Sequence, residues 1–159
     1  MKNKFKIIII SSISVVLVSI IGVFGYMYTH QNLYEANAKI GVMPGSQVNL
    51  QKQADDSMTT FSANYDPVLK DHQCNLFLEN PKDNNKLIQA TLILKNGTTL
   101  YTTKFIKPGS YIDTINIDTD LQKGNYSAML YINSYDLRTL KLIGNSQNSR
   151  GALITIHVI

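Results

Sequence analysis

The chain has 159 residues and is 44% hydrophobic but only 16% charged, against about 25% charged in soluble globular domains, and its length suits one domain with accessory segments rather than two. Its net charge of +4 does not mark a nucleic-acid binder: Lys2, Lys4 and Lys6 supply three of the fifteen basic residues, leaving twelve against eleven acidic ones, and no basic stripe remains to displace counterions from phosphates. Cys74 is the single cysteine, which excludes an intradomain disulfide and leaves the fold to a conventional core.

The first element in chain order is an apolar run from Ile7 to Tyr28, with no Asp, Glu, Lys or Arg between Lys6 and Glu35. As a helix these 22 residues would be about 33 Å long, enough for a hydrocarbon core of about 30 Å. Ser11, Ser12, Ser14 and Ser19 can bond back to helix carbonyls, and Tyr26 and Tyr28 stand where an aromatic belt meets the interface. The lysines before the run place residues 1–6 in the cytoplasm by the positive-inside rule, and the C-terminal domain outside. A cleaved signal peptide is the competing reading, with weak sites at Val23-Phe24-Gly25 and Ala36-Asn37-Ala38, although its apolar region is normally only 7–15 residues. A pilin-type leader is excluded by the missing processing-site Gly and the missing Glu early in the run.

Residues 29–40 read as a polar tether. From Gly41 onward the pattern becomes short runs broken by turn residues, as in an all-β domain spanning residues 41–159. Ser46–Leu50 and Met58–Ala63 are weak strand candidates, and Cys74–Glu79 is a stronger one that closes at Asn80-Pro81. Leu87–Lys95 and Thr98–Ile106 flank Asn96-Gly97, which predicts a hairpin with a two-residue type I′ turn. Pro108-Gly109 predicts a turn before a strand over Tyr111–Ile117, and Asp118–Lys123 a loop. Tyr126–Asn133 alternates cleanly with Tyr126, Ala128, Leu130 and Ile132 on one face, and Ala152–Ile159 does the same with Ala152, Ile154, Ile156 and Val158. Leu121-x-x-Gly124-x-Tyr126 has the spacing of a tyrosine corner, whose hydroxyl bonds to upstream backbone. These elements predict an antiparallel immunoglobulin-like sandwich of seven or eight strands after one transmembrane helix.

Several of these stretches together, NP, LIQATLIL, NGTTLY, IKPGSYIDTINI, LQKGNYSAMLYI and ITIHV, with Gly41-Val42-Met43-Pro44-Gly45 ahead of them, resemble a group of small exported proteins of low-GC Gram-positive bacteria. The resemblance covers residues 41–159. It implies one N-terminal span and a β-sandwich, and it carries no catalytic residues.

Motifs for chemistry are sparse. His30, His72 and His157 are scattered, and one cysteine offers no zinc-ligand spacing. No G-x-S-x-G elbow, Walker A or dinucleotide loop is present. Asp118-x-Asp120 misses calcium-loop spacing, because Gln122 occupies the fifth position and Gly124 the seventh. Asp55, Asp56, Asp66 and Asp71 could converge on a cation only if the fold joined them. Asn96-Gly97-Thr98 and Asn125-Tyr126-Ser127 match glycosylation sequons but read as turns. No cofactor or metal is therefore expected, and Cys74 reads as a small buried hydrophobe.

Ser134–Arg150 is long for a hairpin connection and carries Tyr135, Leu137, Arg138, Leu140 and Leu142. It reads either as strand extension with a polar turn at Gly144–Ser149 or as a partner-binding loop through Tyr135, Leu137 and Arg138. The functional expectation is a non-enzymatic, membrane-anchored extracellular interaction or accessory module of a cell-envelope assembly, with a protein partner and no nucleic acid. A carbohydrate- or ligand-binding adhesive module is the alternative, weakened by the absence of Trp among the aromatics. An envelope hydrolase is more distant.

Overall fold

The computed structural model describes residues 19, 20, 22, 25, 33–45, 59–144 and 150–159, with the Arg150 side chain excluded. The chain divides into two units, Met1–Ala36 and Asn37–Ile159. In the first, Ser19, Ile20, Gly22 and Gly25 are helical. Among the described residues no helix is long and apolar enough to cross a membrane; most of the span expected over 7–28 lies outside them.

The second unit is all-β. Its strands are β1 (Lys39–Ile40), β2 (Val68–Lys70), β3 (Gln73–Cys74), β4 (Leu78–Asn80), β5 (Leu87–Leu94), β6 (Thr99–Thr102), β7 (Ser110–Ile112), β8 (Ile115–Asn116), β9 (Gly124–Tyr135) and β10 (Arg150–Val158). They form a three-stranded sheet, β1-β7-β4, and a seven-stranded one, β6-β5-β9-β10-β2-β3-β8.

The centre of the large sheet follows from binary pattern. β9 lies antiparallel to β10 from Gly124↔Val158 to Ile132↔Arg150, and to β5 from Ala128↔Leu94 to Tyr135↔Leu87. Successive side chains on a strand point to opposite faces, so Ile88, Ala90, Leu92 and Leu94 meet Ala128, Leu130 and Ile132, with Ile154 and Ile156 beside them, all buried in one core. Ala152 and Val158 are half-buried at the ends of that row.

Ten strands are described instead of seven or eight: β1 and β2 were not expected, and two expected strands each divide between the sheets. Cys74–Glu79 becomes β3 in the large sheet and β4 in the small one, bent at Phe77, whose φ is +47°. Tyr111–Ile117 divides alongside it into β7 and β8, and Phe77 N–H donates to Asp113 O at 3.0 Å. This ribbon closes one side of the core with Cys74, Leu76, Leu78, Ile112, Ile115 and Ile117. The sheets are also not purely antiparallel, since β10 pairs with β2 in parallel at His157↔Val68 and Val158↔Leu69. Lys39–Ile40, expected at the end of the tether, form an edge strand against β7. Of Met58–Ala63, the described part contributes a single bridge, Ser62↔Glu79; Ser46–Leu50 lies outside the described residues.

The hairpin turns differ from expectation in an instructive way. A type I′ turn needs positive φ at both central residues, and at Asn96-Gly97 only Gly97 has it, at +90°. The loop has three residues instead: Gly97 N–H donates to Leu94 O and Leu94 N–H to Thr98 O, both at 2.8 Å. This is a type I turn followed by a glycine bulge. The Asn96 side-chain oxygen favours it by accepting from Thr98 N–H at 3.0 Å. The paired positive φ angles fall at Asp71 (+48°) and His72 (+65°), the two residues between the Lys70↔Gln73 pair of β2 and β3.

Two details hold the sheets in place. Tyr126 Oη donates to Gln122 O at 2.9 Å, the tyrosine corner expected from spacing. Buried Asn80 donates from Nδ2 to Lys86 O at 2.9 Å and Ile106 O at 2.8 Å, and Asn84 Nδ2 donates to Asn80 Oδ1 at 2.6 Å. This network satisfies backbone carbonyls that would otherwise be stranded beside the 3-10 turn Lys82–Asn84.

Candidate interaction surface

The end of β9 does not run into an open loop. It folds back on itself: Asp136 N–H donates to Lys141 O at 2.9 Å, Ile143 N–H to Ser134 O at 2.8 Å, and Leu140 N–H to Asp136 O at 3.0 Å. Tyr135 and Leu142 form a bridge. The result is a hairpin with Leu137-Arg138-Thr139-Leu140 as its tip and Leu140 in the left-handed region at φ +56°. Asp136 organises that tip. Its Oδ1 accepts from Arg138 N–H at 3.0 Å, Thr139 N–H at 2.7 Å and Thr139 Oγ1–H at 2.9 Å. These donors, the Thr139 amide foremost, hold the carboxyl below the usual carboxylate range.

The three expected recognition residues divide in role. Tyr135 belongs to β9; its hydroxyl donates to Gln89 Oε1 at 3.0 Å, and its ring meets Phe105 at a centroid distance of 4.8 Å. It fastens the hairpin to the scaffold. Leu137 is 43% exposed at the tip, and Arg138 beside it is also exposed. Leu142 and Ile143 add two further exposed apolar side chains on the returning arm. Asp136, Phe105 and Ile143 were not singled out from sequence. The local signal for Asp136 was its spacing to Thr139, which suits a side chain that accepts from nearby backbone. Phe105 lies 30 residues from Tyr135 and carries no local signal. Gly144–Ser149, where the polar turn was expected, lies outside the described residues beyond Gly144.

No family model, curated protein or solved structure matches the chain. Its reading therefore rests on its own residues.

The two described histidines each face a different carboxylate. His157 Nδ1 lies 2.9 Å from Asn125 Oδ1 and its Nε2 3.6 Å from Asp66 Oδ1. His72 Nδ1 lies 2.9 Å from Ile117 O and its Nε2 3.8 Å from Asp120 Oδ1. Asp66 lies beside His157 of β10 and Asp71 sits in the turn between β2 and β3, and Asp55 and Asp56 lie outside the described residues. Among the described residues no group of three or more His, Cys, Asp or Glu could hold a metal ion.

Cys74 is fully buried, and burial pushes its thiol up to about 11. A thiol held protonated is a poor nucleophile. At pH 8 its thiolate population should fall roughly 100-fold relative to an unperturbed cysteine. Iodoacetamide should accordingly modify the native chain at least ten times more slowly than the denatured chain. Equal rates would mean that Cys74 is accessible.

Proposed function

We propose that the protein is a membrane-anchored, exported interaction or accessory module of a cell-envelope assembly, acting by contact and not by catalysis. Residues 7–28 form the anchor, residues 1–6 are cytoplasmic, and the β domain is extracellular and docks a protein partner. The domain is an immunoglobulin-like sandwich variant; the Tyr126–Gln122 bond supports that reading. The resemblance to small exported proteins of low-GC Gram-positive bacteria agrees with this location.

One observation carries the functional part: a hydrogen-bonded hairpin presents Leu137, Leu142 and Ile143, together with Arg138, to solvent. Rigid scaffolds commonly carry binding groups on such projections. Arg is enriched among the residues that dominate binding energy, and the buried centre of an interface is more apolar than the surface around it. The double variant Leu137→Asp/Arg138→Glu leaves Tyr135 and Asp136 in place, so its stability should lie within about 0.5 kcal/mol of wild type. In cells treated with an amine-reactive crosslinker, it should lose at least nine-tenths of the partner adduct recovered with wild type. Undiminished adducts from a normally folded variant would refute the hairpin as the docking element.

A further inference from the structure

A groove of about 380 Å³ opens on the three-stranded sheet, away from the hairpin elements just described. Gly41 and Gly109 line it, with Ile40, Val42, Pro81 and Pro108. Gly41 N–H donates to Gly109 O at 2.9 Å and Gly109 N–H to Asn80 O at 2.8 Å, which sets the two glycines side by side. A Cβ on Gly41 would meet nothing within 4 Å, so the absent side chain leaves open space. Ile40 and Val42 are 93% and 65% exposed beside it. Exposure of that degree on an edge strand marks a surface that can be covered.

Glu79 also lines this groove. It pairs with Tyr111, which pairs with Lys39, and alternate residues of a strand share a face. Glu79 therefore stands on the same face as Gly41 and Gly109. It is only 3% exposed, and its Oε2 receives no hydrogen bond from any described residue. A buried carboxylate oxygen without a donor is costly. Lys39, the cation on that face of β1, donates instead to Asp113. The groove also carries Lys82 and Asp83, both exposed and of opposite sign, so they leave no net charge to compensate Glu79.

We infer that the groove binds a lysine or arginine side chain from a basic extended segment of the protein partner. The aliphatic stem lies over Gly41, where a Cβ would meet no atom within 4 Å, and beside the stem of Lys82, which packs on Gly109; the charged head donates to Glu79. A long side chain with an apolar stem and a cationic tip matches an apolar groove with a buried carboxylate in its wall. The volume is at the small end of ligand sites and leaves room for one such side chain with its neighbouring backbone. This inference rests on the interaction-module reading and adds the chemistry of what is bound.

The test uses purified full-length protein and three capped tripeptides, acetyl-Gly-X-Gly-amide with X as lysine, arginine or norleucine, titrated calorimetrically. Wild type should bind the lysine and arginine peptides and not the norleucine one. Glu79→Gln should weaken both basic peptides at least tenfold while unfolding at or above the wild-type midpoint, because the amide keeps the side chain's shape and Oε2 has no donor among the described residues to lose. Val42→Lys, at an exposed position, should weaken them similarly by placing a competing ammonium in the groove. Equal affinity for norleucine, no heat from any peptide at millimolar concentration, or binding unaffected by Val42→Lys would overturn the inference. So would a Glu79→Gln chain that is destabilised or fails to fold, since the carboxylate would then serve the fold itself. None of these failures touches the hairpin reading, which stands or falls on Leu137 and Arg138.

Discussion

Leu130→Ala is expected to destabilise the β domain by about 2–5 kcal/mol, the range for truncating a buried leucine. Leu130 is fully buried, lies opposite Leu92 on β5 and Ala152 on β10, and belongs to the central strand of the three. A neighbour on each side holds the backbone in register, which leaves little freedom for the sheet to collapse onto the cavity. Transfer and cavity costs therefore add. Domains of this size have about 5–15 kcal/mol to lose, so the unfolding midpoint should drop by roughly 10 °C or more. Leu153→Ala is the matched control. Leu153 sits one residue from Ala152 but on the outer face, paired with Met129 and 68% exposed, and its truncation should cost less than about 0.5 kcal/mol. Similar shifts for the two variants would mean that the inward face of β9 and β10 has been assigned backwards.

That inward face was readable because alternation is a local signal. Ala128, Leu130 and Ile132 on β9, and Ile154 and Ile156 on β10, are buried as their spacing requires. The tyrosine corner was readable for the same reason, since Tyr126 and Gln122 are four residues apart. What escaped the sequence depends on partners far along the chain. Phe77 has no glycine-like signature, yet it takes positive φ where β3 passes into β4, because β7 and β8 run beside it and make the same passage. The parallel pairing of β2 with β10 brings Val68 to His157, and no pattern within three residues of β2 could announce it. The Asn96-Gly97 dipeptide pointed correctly to a hairpin but not to its loop length, which the Asn96–Thr98 bond decides.

The candidate surface divides along the same line. The apolar content of Ser134–Leu142 was visible, whereas the separation of Tyr135 as an anchor from Leu137 and Arg138 as exposed groups came from contacts to Gln89 and Phe105. Glu79 would pass in sequence as one polar position near a strand end. Only the pairing of β4 with β7, and of β7 with β1, places it above two adjacent glycines.

An all-or-none result is expected for the topology of the chain, and it bears on everything proposed for the β domain. Three lysines precede a run of 22 residues without Asp, Glu, Lys or Arg, and cytoplasmic retention of such a cluster sends the following domain across the membrane. The single native thiol, Cys74, is buried and held protonated, so a new exposed cysteine can be read without background. Lys95→Cys supplies one in the exposed turn between β5 and β6, outside the hairpin proposed to dock the partner. Intact cells or protoplasts expressing this variant are treated with a membrane-impermeant maleimide, and labelling is compared with that after lysis. Full labelling of Lys95→Cys before lysis is expected, with almost none of the wild-type chain; labelling of Lys95→Cys only after lysis would contradict the proposed topology.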